Sequence, residues 1–241
     1  MTAMAPPKAI FLDLDDTLIF CNGRPEQAWQ VVLAGFADRI DHCGVTEVRD
    51  AVMAASRWFW SDPTRHRTGR LDVLAARRTI IGNAFAALGI DDDELADTLA
   101  RELNAHRKRE MHLHTGVHET LDALASRGLK LALVTNGAGG PQREKIERFD
   151  LGHRFDQILI EGEFGVGKPE PRVYEFLMDL FGVGADETWM VGDNLEWEVA
   201  APQRLGIRGI WCNLLGAPLP ADKGIRPDHV IGGVPELLAL L

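Results

Sequence analysis

Along most of the chain, short and nearly continuous apolar runs alternate with segments of helical periodicity. Residues 8–14 (KAIFLDL), 129–135 (LKLALVT), 157–160 (QILI), 188–191 (TWMV), 209–211 (GIW) and 229–231 (HVI) have the length and density of buried strands. Between them, residues 116–127, 141–149, 171–181 and 196–205 carry helix-like spacing. Alternation of this kind predicts βαβ units and a parallel sheet covered on both faces. From about residue 21 to residue 111 it stops. Apolar positions there recur at helical intervals over 25–42 and 71–88, and Leu95, Leu99 and Leu103 fall four apart behind Asp91, Asp92 and Asp93, which are placed to cap a helix. The pattern therefore predicts an α/β core made of residues 1–20 and 112–241, with an all-helical insertion at 21–111 after the first strand.

Composition narrows the setting. At 241 residues, 46% hydrophobic and 26% charged, the chain can bury a substantial core without metal or disulfide support. Cys21, Cys43 and Cys212 are odd in number and follow no metal-binding spacing, so free thiols are expected. The first residues lack a signal-peptide pattern and no run reaches the ~20 apolar residues of a spanning helix, so a soluble, cytoplasmic protein is expected. A net charge of −10 argues against nucleic acid or anionic membrane as partner. The charge is unevenly spread: residues 22–110 carry 13 basic and 14 acidic side chains, leaving a net −9 for the rest.

In open parallel sheets, ligands bind beyond the carboxyl ends of the strands. The residues at those ends here are Asp13, Asp15 and Thr17, then Thr135, Asn136 and Gly137, then Lys168, then Asp193, Asn194 and Glu198. Asp13 and Asp15, two apart in extended chain, point to the same side, and Asp193 adds a third negative charge that would raise its neighbours' pKa values. A hard divalent cation relieves that crowding, and Mg²⁺ suits a site with few protein oxygens plus water and phosphate. Lys168 adds positive charge. Thr135, with the backbone N–H groups of Asp16, Thr17 and Asn136, can hold phosphate oxygens. The set suits phosphoryl transfer through an aspartyl-phosphate.

Asp13-Leu-Asp15-Asp16-Thr17, Val134-Thr135-Asn136-Gly137, Gly167-Lys168-Pro169 and Val191-Gly192-Asp193-Asn194 resemble, in order and spacing, the four motifs of the haloacid dehalogenase superfamily. The resemblance implies a Rossmann-like core with a helical cap at 21–111 that closes over the site to exclude water. It implies Asp13 as nucleophile, Asp15 as general acid and then base, Thr135 and Lys168 on the phosphoryl group, and Mg²⁺ held by the Asp13 carboxylate, the Asp15 carbonyl oxygen and Asp193. The superfamily's dehalogenases lack the second acid of the first motif and use no metal, so Asp15 favours a phosphatase of small phosphorylated metabolites. A phosphomutase, a 2-haloacid dehalogenase and a non-catalytic binding protein are the rival readings. The fourth motif departs from the usual pattern: Glu198 stands where many members have Asp, with Glu196 and Asn194 as alternatives for supporting the metal.

In the insertion, residues 61–70 read as a polar loop whose Arg65, His66 and Arg67 are candidates to meet an anionic substrate. The stretch 57–78 carries six Arg against Asp62 and Asp72. His112, His114 and His118 lie away from the expected site and read as structural. Oligomeric state and the particular substrate are not legible.

Overall fold

The structure, a computed structural model, describes residues 6–21, 23–40, 42–220 and 224–241; the parts of the expected ranges at 1–5, 22, 41 and 221–223 lie outside them. In chain order the main elements are β1 (Ala9–Leu12), β2 (Ile19–Phe20), α1 (Pro25–Ala34), α2 (Val45–Ser61), α3 (Pro63–Leu71), α4 (Val73–Leu88), α5 (Asp93–Glu110), β3 (His112–Leu113), α6 (Val117–Ser126), β4 (Lys130–Thr135), α7 (Gly139–Arg148), β5 (Gln157–Ile160), α8 (Glu161–Phe164), α9 (Pro171–Phe181), β6 (Thr188–Gly192), a π-helical stretch (Leu195–Ala200), α10 (Ala201–Arg204), β7 (Arg208–Cys212) and β8 (His229–Ile231). They fall into two compact units, Met1–Phe20 with His112–Leu241, and Cys21–Met111.

The first unit is built on a six-stranded sheet in the order β5-β4-β1-β6-β7-β8, parallel throughout. Every residue of β1 is fully buried, as the apolar run at its position requires of a strand covered on both faces. Alternate side chains serve opposite faces. Ala9 and Phe11 pack with Ala132, Val134 and Met190 against Val173 and Leu177 of α9, while Ile10 and Leu12 point the other way. Helix α9 starts with Pro171 at its first turn and stops where Gly182 takes a left-handed conformation (φ 64°) that a side chain would oppose. The parallel register sets Leu12 level with Leu133 and Val191. The ends of β1, β4 and β6 therefore open side by side at the place where strand order reverses, the usual ligand position in such sheets. The α/β class read from the sequence is borne out. The antiparallel pair of β2 and β3, too short for a periodic signal, is not foreseen in the pattern.

The second unit is helical, α1 to α5, around a core that includes Leu33, Val48, Val52, Ile81, Phe85 and Leu99. Two corrections apply here. Residues 61–70 are not a loop: α3 occupies most of them, following directly on α2, which the apolar pattern did not reveal. The expected helix over 25–42 ends at Ala34. Asp62, Asp72 and Asp92 cap α3, α4 and α5 by accepting hydrogen bonds from Arg65 N, Ala75 N and Leu95 N. Among the described residues no helix is long and apolar enough to cross a membrane. Loss of the cap in Asp72→Ala is expected to lower stability by about 1 kcal/mol in urea unfolding, with Asp72→Asn close to wild type; equal stability of Asp72→Ala and wild type would contradict the capping role.

Candidate active site

Asp13 directly follows β1, and its backbone N–H donates to Val191 O (2.9 Å), which continues the sheet by one residue and fixes where the side chain starts. Its carboxylate receives a hydrogen bond from Lys168 Nζ at Oδ1 (2.6 Å) and from Thr17 Oγ1 at Oδ2 (3.1 Å). Lys168 is wholly buried and makes a second ion pair with Glu198 Oε1 (2.8 Å). Burial works against the ammonium, but the Asp13 and Glu198 carboxylates outweigh it and hold the Lys168 pKa above the ordinary lysine value. Lys168 is accordingly cationic at any physiological pH.

The loop bearing Lys168 is positioned by Asn136. Its side-chain Nδ2 donates to Lys168 O (2.8 Å), and its Oδ1 accepts from Lys168 N (2.8 Å). The Asn136 side chain is thus committed to holding the lysine loop. Two glycines are required by close packing. A Cβ on Gly167 would lie 2.4 Å from Asn136 Oδ1, and one on Gly192 would lie 2.1 Å from Glu198 Cγ and 3.0 Å from Asp13 Cβ. Glu198 sits in the π-helical stretch, an irregularity that replaces the start of the continuous helix expected over 196–205. Asn194 caps that stretch by accepting from Glu196 N and Trp197 N, and its own N–H donates to Glu198 Oε2 (2.8 Å). Glu196 faces Arg204 in an exposed ion pair (2.7 Å). Of the three alternatives in the fourth motif, Glu198 is the one in contact with Lys168.

Asp15 is held differently. Lys145 Nζ lies 2.8 Å from both of its carboxylate oxygens, and Gln142 Nε2 donates to Oδ2 (3.0 Å). Gln142 Nε2 also donates to Thr135 Oγ1 (2.5 Å) at the end of β4. Neither Gln142 nor Lys145 stands out in the sequence. The available signal is their spacing of three in the helix after Thr135, which puts both on one face. The Asp16 N–H donates to Ile19 O (2.7 Å) inside the turn. Thr17 is fully buried with its hydroxyl on Asp13.

The electrostatic balance is short of positive charge. Burial, and secondarily the neighbouring Asp15, raise the Asp13 pKa, with Lys168 opposing. Burial and Asp13 push Glu198 up to about 7 against the pull of Lys168. Asp193 has an exposed edge and its carbonyl accepts from Trp211 Nε1 (2.9 Å), but its carboxyl is pushed up to about 8 by desolvation and by Asp13, Glu198 and Asp16. Among the described residues no three His, Cys, Asp or Glu side chains gather as a metal cluster. What is present, the Asp13, Glu198 and Asp193 carboxylates around the single Lys168 ammonium, fits a hard cation that keeps water and takes a phosphate oxygen.

The remaining candidates make contacts of other kinds. In the helical unit the Arg65 guanidinium stacks on the Trp58 ring (3.9 Å) and donates to Trp58 O (2.6 Å) and Phe59 O (3.3 Å), so its bonds go to the corner between α2 and α3. His66 packs against Trp60 (5.2 Å), and Arg67 is exposed. His112 stacks on Phe20 (4.8 Å) with His114 beside it (5.9 Å from His112), and His118 Nε2 donates to Phe149 O (2.8 Å). None of the three cysteines is in a disulfide, and burial pushes the Cys212 thiol up to about 12, where it is no nucleophile.

A parallel sheet with a lysine-paired aspartate and further carboxylates beyond its strand ends defines an α/β protein whose candidate site lies at the carboxyl edge of the sheet. The chain belongs to the haloacid dehalogenase-like hydrolases, whose family model matches residues 7–206. It is 31% identical to the phosphoserine phosphatase of Thermus thermophilus over 92% of this chain and 91% of that one. Among solved structures it is similar to a 2-haloacid dehalogenase from Pseudomonas syringae (28% identity, TM-score 0.61, 97% of each chain). It also shares its fold with YfnB of Bacillus subtilis, a candidate hydrolase of this superfamily solved bound to magnesium (18% identity, TM-score 0.72, 98% of this chain and 99% of that one).

A carboxyl whose folded pKa is raised binds its proton more tightly when folded, so its contribution to stability is full below about pH 4 and is lost as pH rises through the folded value, about 8 for Asp193. Chelator-treated protein is therefore expected to lose melting temperature between about pH 4 and pH 8 more steeply in wild type than in Asp193→Asn. Parallel pH profiles of the two proteins in differential scanning fluorimetry would contradict the assigned charge crowding.

Proposed function

We propose that the chain is a Mg²⁺-dependent phosphatase of small phosphomonoesters that works through an aspartyl-phosphate on Asp13. The observation that carries this reading is the 2.6 Å contact between Lys168 Nζ and Asp13 Oδ1, which keeps one oxygen of a buried carboxylate neutralised and the side chain oriented, with a second acid, Asp15, two residues on. In the first step an Asp13 oxygen attacks phosphorus, the bond from phosphorus to the leaving oxygen breaks, and Asp15 gives that oxygen a proton. In the second, Asp15 takes a proton from water as the water attacks phosphorus, which releases inorganic phosphate and restores the Asp13 carboxylate. Thr135 and backbone N–H groups at Thr17 and Asn136 bind the phosphoryl oxygens, while Lys168 offsets their charge. The Asp13 carboxylate, the Asp15 carbonyl oxygen and Asp193 would hold the Mg²⁺, which when bound offsets the charge of phosphate and carboxylates.

The phosphatase relative, aligned over most of both chains, supports this class of substrate. The similarity to a dehalogenase is set against Asp15, since the superfamily resemblance implies that dehalogenases lack that second acid. Hydrolysis of p-nitrophenyl phosphate is expected to require Mg²⁺, to stop on chelation and to fall by at least about a thousandfold in Asp13→Asn. Full activity in Asp13→Asn would remove the covalent mechanism, and halide release from a 2-haloacid without metal would move the chain to the dehalogenases. Transfer of phosphate between two positions of one sugar with little free phosphate would instead make it a mutase.

A further inference from the structure

Helix α7 supplies two side chains to groups that belong to different motifs. Gln142 is buried at 3% exposure, and the two hydrogens of its Nε2 are shared among Thr135 Oγ1 (2.5 Å), Asp15 Oδ2 (3.0 Å) and Asn136 O (3.1 Å). Three residues on, Lys145 Nζ bridges both Asp15 oxygens at 2.8 Å. The Asp15 carboxylate is therefore oriented by α7, 127 to 130 positions away in sequence, at least as much as by its own loop. The same amide occupies a lone pair of Thr135 Oγ1. The Thr135 O–H itself reaches Asn136 O at 3.4 Å, a bond long enough for a phosphoryl oxygen to displace as acceptor.

We infer that Gln142, with Lys145 as the second point of attachment, is a positioning residue that fixes the Asp15 carboxyl relative to Thr135 for proton transfer at the leaving oxygen. This rests on the proposed role of Asp15 as general acid. Gln142 carries no charge, so its effect is geometric. A proton donor displaced by an ångström or less loses much of its benefit, and that loss is felt most by leaving groups that need the proton.

Phenyl phosphate and p-nitrophenyl phosphate have nearly the same shape, but phenolate is the poorer leaving group and depends more on protonation. In the full chain with Mg²⁺, Gln142→Met is expected to lower kcat/KM for phenyl phosphate by about tenfold more than for p-nitrophenyl phosphate. In an Asp15→Asn background the same substitution is expected to leave that ratio unchanged within about twofold, because the group it positions is already disabled. Gln142→Asn, which keeps the amide one methylene short, is expected to reproduce the pattern if Gln142→Met proves poorly folded by its melting temperature. Equal losses on the two substrates, or a ratio that shifts just as much in the Asp15→Asn background, would show a merely structural role and overturn the inference. Asp15→Asn alone separates the two levels. If it shifts the ratio and Gln142→Met does not, only the role of Gln142 falls; if it fails to shift the ratio, the general-acid role of Asp15 falls and this inference with it.

Discussion

The arrangement at the strand ends depends on one buried ammonium. Lys168 has no solvent exposure and lies 2.6 Å from Asp13 and 2.8 Å from Glu198. A charge so buried is tolerable only with close partners, and removing one of them strands the others at a cost of several kcal/mol. That constraint ties together the end of β1, the loop at Gly167 and the π-helical stretch after β6. It also explains local choices that look arbitrary in isolation. Gly167 and Gly192 are glycine because a Cβ would collide with Asn136 and Glu198, and Asn136 spends its whole carboxamide on the Lys168 backbone.

The two acids of the first motif are given opposite settings by the chain around them. Asp13 is buried and shares its cation with Glu198, whereas Asp15 stays partly accessible and meets Lys145 and Gln142 from α7. A nucleophile benefits from the first setting, where desolvation and a fixed counter-charge hold one oxygen in place. A group that exchanges protons with a leaving oxygen and with water needs the second, in which it is oriented but still reachable. The excess of carboxylate over ammonium that remains, seen in the raised pKa values of Asp13, Asp193 and Glu198, is the feature that a divalent cation would correct.

Much of the core was legible in the sequence because a buried parallel strand is a short apolar run and its polar end is abrupt. Runs 157–160 and 229–231 match their strands residue for residue, and 171–181 matches α9, whose Pro171 and Gly182 mark both ends. The helical unit was harder. Helix α3 buries only Gly69, so it has no apolar stripe to detect, although Asp62-Pro63 is a sound start signal. In α2, Val48, Val52 and Phe59 form the buried stripe, but the Trp58-Phe59-Trp60 cluster obscures its period. At the candidate site, Asp13 and Asp193 are legible because they directly follow strands, and Lys168 and Glu198 through the polar segments that come after β5 and β6. Gln142 and Lys145 were not, because their partners are remote in sequence and polar residues on one helix face ordinarily belong to solvent. The π-helical stretch that carries Glu198 is likewise a tertiary outcome, stabilised by Tyr174 Oη donating to Trp197 O, and it has no sequence periodicity of its own.

The proposed route takes phosphate through the Asp13 carboxylate while Lys168 holds it. An acyl phosphate is reduced by borohydride to the alcohol, so quenching the Mg²⁺-loaded enzyme during turnover of p-nitrophenyl phosphate into borohydride should convert Asp13 to homoserine. Peptide mass spectrometry reads that change directly. The account predicts homoserine at position 13 and its absence without substrate; sustained turnover with Asp13 unmodified, or with the label on another carboxylate, would contradict it.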